Sequence, residues 1–321
     1  MLRRSLISSA LLCAGCASFV PALAQSDKTL KIMVGVPAGG SLDAFTRLVA
    51  DKMKDELKQN VIVENKPGAG TRLAAELLKN AAPDGTTYLM TPIVTTVLAP
   101  LVASKLNYNP VTDFAPVGVA ATYDFGLAVR ADHPAKNVNE LIAWFKANPA
   151  KASIGYPAAG SLPHFFGLLV ASESKADTVQ VPFNGGAPLL SALLGDQVAM
   201  AMDTNYEWLA NTKAGKLRVL ATSGAVRSKV LPDVRTFREQ GFPGVSGTGW
   251  FGMYAPAKTP AAEIARVNAA LNKALHAPEV IEKLRTYAME PGGGTPADLA
   301  KLMETDTARW SPIIKASGFK E

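Results

Sequence analysis

The sequence has 321 residues, 48% of them hydrophobic and 19% charged, enough to build a sizeable core in about two domains. Two cysteines and three histidines exclude a disulfide framework, a Cys₄ zinc site and an iron–sulfur protein. The net charge of +6 is spread along the chain without a basic block, which argues against a nucleic-acid partner.

The first residues have the pattern of an export signal. Met1-Leu2-Arg3-Arg4 is a short positive region, residues 6–20 are apolar and small, and Ala22-Leu23-Ala24 offers a small-x-small cleavage site. Cleavage after Ala24 removes both cysteines and releases a periplasmic chain. Leu12-Cys13-Ala14-Gly15-Cys16 is also nearly a lipobox, so lipidation at Cys16 is the alternative fate.

Downstream, short β-branched runs alternate with helical patterns. Thr29–Val34, Val61–Val63 and Thr86–Met90 have strand character. Between the first two, Leu42, Phe45, Leu48, Val49, Met53 and Leu57 recur at helical spacing. The alternation predicts a parallel sheet covered by helices on both faces. It then recurs. Asn137 and Glu140 form a capping pair, strands are expected at 152–155, 178–183, 197–202 and 217–222, and a leucine-rich helix carries Leu189, Leu190, Leu193 and Leu194. The remaining residues are mainly helical, with Thr259-Pro260 and Thr295-Pro296 as helix starts. The expected organisation is a signal peptide over 1–24, a first lobe from 25–122 plus 250–321, and a second lobe over 123–249. The aromatic stretch Gly249–Tyr254 marks the second crossing.

No catalytic constellation is present: there is no HExxH, GxSxG, GxxxxGK[ST] or CxxC. The informative features are glycine-rich loops placed between strands and helices. Pro37-Ala38-Gly39-Gly40-Ser41-Leu42-Asp43 combines free backbone N–H groups, a hydroxyl and a carboxylate. Asp43 either caps the helix or receives a ligand amine. Asn65–Arg72 is the second loop, and there Arg72 either holds a carboxylate or is a solvated surface arginine. Pro157–His164 contains Ala159, Gly160 and Ser161, and Ser161 caps a helix, binds ligand, or does both. Asn184-Gly185-Gly186 is the fourth loop. Such loops fit the rule that ligands bind outside the carboxyl ends of parallel strands.

Several stretches resemble one family over nearly the whole exported chain. GGSLDAFTRLVADKM, VIVENKPGAGTRLAAE, AAPDGTTYL, GSLPHFFG, VQVPFNGGAPLLSALLGDQVAMAMD and RWSPIIKASG occur in family order. On these the chain is similar to the Bug family, the periplasmic solute-binding components of tripartite tricarboxylate transporters. The resemblance implies an α/β, two-lobed periplasmic-binding-protein fold (Venus flytrap, type II-like), each lobe a mostly parallel sheet flanked by helices. It also implies a monomeric receptor that captures a small organic carboxylate and delivers it to membrane permease subunits, with neither catalysis, metal nor cofactor. Carried over by motif position, Gly39, Gly40, Ser41, Gly70, Thr71 and Thr91 would contact ligand from the first lobe. Gly160, Ser161, His164, Asn184 and Asp203 would face them from the second.

The chain departs from the family at several points. Gly35 and Ala38 replace common prolines, which suggests a more flexible first loop. Leu42 replaces a small polar residue, and Thr71-Arg72 replaces Gly-Asn. Tyr123, Asp124, Phe125 and Tyr156 are further cleft candidates, with core the alternative for Phe125. Arg72, Leu42 and the aromatics together suggest an aromatic acid or a longer dicarboxylate. The competing readings are a ligand-sensing protein that presents its bound form to a signalling partner, and a hydrolase on a similar scaffold.

Overall fold

The structure, a computed structural model, describes residues 28–321. The export signal, the cleavage point after Ala24 and the lipidation candidate Cys16 lie outside the described residues.

The chain opens with β1 (Leu30–Val34), α1 (Ser41–Leu57), β2 (Val61–Asn65), α2 (Arg72–Lys79) and β3 (Thr87–Pro92). A π-helical segment, Val94–Leu98, runs into the short α3 (Ala99–Val102), and β4 (Phe114–Tyr123) follows. The second lobe comprises β5 (Phe125–Arg130), α4 (Val138–Ala147), β6 (Ser153–Tyr156), α5 (Leu162–Ser174) and β7 (Val179–Pro182). It continues through α6 (Gly186–Leu194), β8 (Met200–Thr204), α7 (Asn205–Lys213) and β9 (Leu217–Thr222). The chain then returns as β10 (Gly249–Pro256), α8 (Ala261–Leu275), α9 (Pro278–Thr286), β11 (Met289–Gly293) and α10 (Pro296–Ser317).

These strands form two sheets, ordered β11-β4-β10-β3-β1-β2 and β7-β6-β8-β5-β9. The expectation of mostly parallel sheets is corrected to mixed ones. β1 pairs in parallel with β2 and β3, but β10 runs antiparallel to β3 and β4, and β11 antiparallel to β4. In the second sheet β6 is parallel to β7 and β8, while β5 is antiparallel to β8 and β9. The physical reason is the traffic between lobes. Strands that carry the chain out and back must run against their neighbours.

Side-chain alternation assigns the faces of the first sheet. Leu30, Ile32 and Val34 of β1 and Tyr88 and Met90 of β3 pack with Phe45, Val49 and Met53 of α1 and with Val267 and Leu271 of α8. Met33 and Leu89 point to the other face, toward Leu78 of α2 and Leu299 and Met303 of α10. That second cluster continues without a break into the second lobe through Phe125, Phe165, Phe166 and Trp310. The Phe166 and Trp310 rings meet edge-on at 5.2 Å, so α10 braces both lobes.

Local signals explain most boundaries. Asn137 caps α4 by accepting from Glu140 N–H, and Thr295 forms a capping box with Asp298 at α10. Thr259 does not cap α8 as expected: Pro260 occupies that position, and the Thr259 hydroxyl is buried without a partner.

The crossings are tied together by one side chain. Ser223, fully buried after β9, accepts from Phe125 N–H at 3.0 Å and donates to Gly247 O at 2.7 Å. Its own backbone N–H and C=O bond Phe125 O and Gly247 N–H. Ser223→Ala is expected to leave the Phe125 amide buried and unsatisfied, at a cost of about 1–3 kcal/mol. A lower urea midpoint with an unchanged slope would show it, whereas unaltered stability would mean the crossings do not depend on this tie.

Candidate functional site

A cavity of about 230 Å³ lies between the two sheets. The first lobe lines it with Ser41, Tyr123, Phe251 and the turn Tyr287-Ala288-Met289. The second lobe supplies Pro157, Gly186, Asp203, Thr204, Tyr206 and Glu207. Fold geometry places these groups together. Ser41 opens α1 after β1, Gly186 opens α6 after β7, and Asp203 ends β8 just before α7. No side chain caps α1, whose N-cap residue is Gly40, so its first N–H groups are available to a ligand or water.

Of the site residues expected from the sequence, Ser41 and Asp203 line this cavity, together with the cleft candidate Tyr123 and with Pro157 and Gly186 of the third and fourth loops. Gly39 and Gly40 lead into Ser41. Gly39 adopts φ +93°, a conformation that favours glycine, and its N–H donates to Asp43 Oδ2 at 2.9 Å. Asp43 is therefore a structural anchor. Its carboxylate also accepts from Asn65 at 2.8 Å and pairs with Arg47. Burial opposes its charge, but the bonds from Arg47, Gly39 and Asn65 hold its carboxyl below the usual range.

The second loop serves another purpose. Thr71 meets Thr95, and Thr95 meets Thr91, in a hydroxyl chain of 2.5 and 2.6 Å. A Cβ on Gly35 would come within 2.7 Å of Thr71, so glycine permits this close packing. Gly70 is exposed at φ +61°. The Arg72 guanidinium already has a carboxylate, Glu321, at 2.5 Å, and also donates to Ala69 O at 2.7 Å. It does not line the cavity.

The third loop is likewise inward-looking. Ser161 caps α5, and His164 is buried with Nδ1 accepting from Gly160 N–H at 3.2 Å. Tyr156 stacks on His164 with ring centroids 4.4 Å apart, and Phe319 meets the same imidazole edge-on. Burial pushes the His164 pKa down to about 4, so the ring is neutral near pH 7. Ala159 and Asn184 are exposed and outside the cavity lining. Leu42 faces the first-lobe core at 4% exposure, and Phe125 is also core.

Sequence reasoning missed Tyr206, Glu207, Phe251 and Tyr287. Tyr206 and Glu207 sit on α7, where only Asn205 and Trp208 are buried and no apolar stripe announces a helix. Their signal was position, directly after Asp203. Phe251 belongs to β10, a strand buried along its whole length and lacking alternation.

The electrostatics of the cavity are one-sided. Asp203 is 5% exposed; its Oδ1 accepts from Thr204 N–H at 2.7 Å. Burial, reinforced by Glu207, pushes its pKa up to about 7. Burial also raises Glu207, and burial with the Glu290 charge pushes neighbouring Asp124 up to about 6. Among the described residues no Lys, Arg or His lines the cavity; Arg285 and Lys213 stand on the groove outside it.

The pH dependence follows. A carboxyl whose folded pKa is raised from 3.8 to about 7 loses stabilisation as pH rises through that window. Glu207 and Asp124 act in the same direction, while His164, depressed by burial, loses stabilisation as pH falls below its ordinary value. Asp203→Asn removes one contribution only. The fall in Tm from pH 5 to pH 7.5 is expected to be shallower in Asp203→Asn than in the parent chain. Parallel curves would mean that Asp203 ionises normally.

The family model for the tripartite tricarboxylate transporter family receptor matches residues 45–319. A Cupriavidus necator protein, UPF0065 protein in gbd 5′region, is 36% identical over 91% of this chain and 90% of its own length. Protein BugT of Bordetella pertussis is 28% identical over 96% and 94%. Among solved structures, MatC from Rhodopseudomonas palustris with bound malate superposes with a TM-score of 0.75 at 31% identity, covering 89% of this chain and 99% of that one. Rpa4515 of the same species, with adipate, gives a TM-score of 0.80 at 29% identity over 92% and 99%. The chain belongs to the Bug family of periplasmic solute receptors for tripartite tricarboxylate transporters, which are binding proteins and not enzymes.

Proposed function

We propose that this receptor captures a small organic carboxylate in the cavity between its lobes and delivers it to membrane permease subunits. The observation that carries the reading is the cavity itself. Ser41 at the uncapped start of α1 faces Asp203 and Gly186 from the other sheet, so one small molecule can touch both lobes. A ligand that bonds both lobes favours the arrangement in which they approach, about the crossings near Asp124 and Ser223–Gly249. The malate and adipate held by the two R. palustris relatives support a carboxylate as the ligand. At about 230 Å³ the cavity lies below the usual range of about 300–1,000 Å³ for ligand pockets, which favours a compact solute.

Two of the residues that suggested an aromatic acid do not serve it: Leu42 lies in the core and Arg72 is paired with Glu321. The aromatic lining is Tyr123, Tyr206, Phe251 and Tyr287. The test is a thermal-shift screen of the purified protein against mono-, di- and tricarboxylates and aromatic acids. A ligand at 100 times its Kd should add about 2.7 kcal/mol of stability. A rise in Tm confined to one class names that class, and no response from the refolded, ligand-stripped protein to any carboxylate would sink the proposal.

A further inference from the structure

The cavity walls carry a second message, independent of where a carboxylate binds. Asp203 and Glu207 converge over Gly186. A Cβ built on that glycine would lie 3.2 Å from Asp203 Oδ2 and 3.0 Å from Glu207 Oε2. Glycine there keeps open the space toward which both oxygens point. Asp203 is nine-tenths buried, and only its Oδ1 has a hydrogen-bond partner, so Oδ2 faces the cavity unmatched. Four of the other lining residues are aromatic. Tyr123, Phe251, Tyr206 and Tyr287 all line the space, with Tyr206 and Tyr287 edge-to-face at 5.5 Å. Tyr287 already accepts one cation on its ring, the Lys283 ammonium 5.0 Å from the centroid.

A buried and a half-buried carboxylate beside aromatic rings, with no basic side chain among the described lining residues, are the surroundings that an ammonium group selects. A plain dianion could meet Asp203 only in its protonated form, whereas an ammonium pairs with the ionised carboxylate. We propose that Asp203 and Glu207, within the tyrosine walls, form an ammonium-receiving subsite, so that the solute is a carboxylate that also carries a protonated amine. The inference rests on the carboxylate-receptor reading and narrows it. In this arrangement the amine sits against the second lobe. The carboxylate sits toward Ser41, where the start of α1 supplies backbone donors.

The experiment compares probes that differ by the amine alone: L-glutamate against glutarate and L-aspartate against succinate, by calorimetry on the ligand-stripped protein. At least one amino acid is expected to bind ten-fold or more tightly than its deaminated partner. Asp203→Asn and Glu207→Gln should each shrink that preference, chiefly by weakening the amino acid, and the Tm of each unliganded variant verifies folding. Equal or tighter binding of glutarate or succinate would overturn the subsite while leaving the carboxylate receptor intact. If that binding also strengthens as pH falls, Asp203 is donating a proton to the ligand instead. Failure of all four probes alongside binding of another carboxylate class overturns the subsite alone; failure of every carboxylate overturns both readings.

Discussion

The structure depends on the pairing of β10 with β4. These two strands carry the chain out of the first sheet and back into it, and β10 also pairs with β3, so it lies inside the sheet. Once those strands are antiparallel neighbours, Phe125 and Gly247 are brought within reach of one buried hydroxyl, that of Ser223. The two sheets are then held at a fixed joint, and the loops that open α1 and α6 face the same space. The mixed character of both sheets, the placement of Ser41 opposite Asp203 and the bracing by Trp310 all follow from this return path.

The cavity acid contrasts with two acids elsewhere that have donors. Asp43 is surrounded by donors, and the Trp250 indole donates to Asp306 at 2.7 Å. Asp203 has one backbone donor and a second acid nearby. An uncompensated acid of this kind costs stability in the empty protein, and proteins retain such costs where a ligand is to relieve them.

Much of the fold was legible in the sequence because its signals are local. The β1–α1–β2 alternation, the Asn137 cap and the Thr295 box each depend on a few adjacent residues. The site was legible only in part. Glycine-rich loops pointed to the end of the strands where this cavity lies, and Ser41 and Asp203 line it. The same logic also named Arg72, His164 and Tyr156, whose partners in the structure, Glu321, Gly160 and each other, are set by packing between segments distant in sequence or by burial. A polar residue in a glycine-rich loop looks the same whether it faces a ligand or anchors the loop. Tyr206 and Tyr287 were out of reach for a related reason: their importance comes from meeting across the lobes.

That meeting bears on how the receptor releases what it holds. Across the mouth the lobes touch through Tyr206 against Tyr287 and through Lys229 to Glu290 at 2.7 Å, all at or near the surface. An aromatic edge contact contributes about 0.5–1.5 kcal/mol and an exposed ion pair about 0–1 kcal/mol, each only one or two times thermal energy. Among the described residues no strong clasp secures the front of the molecule, so the lobes can part there without breaking the core.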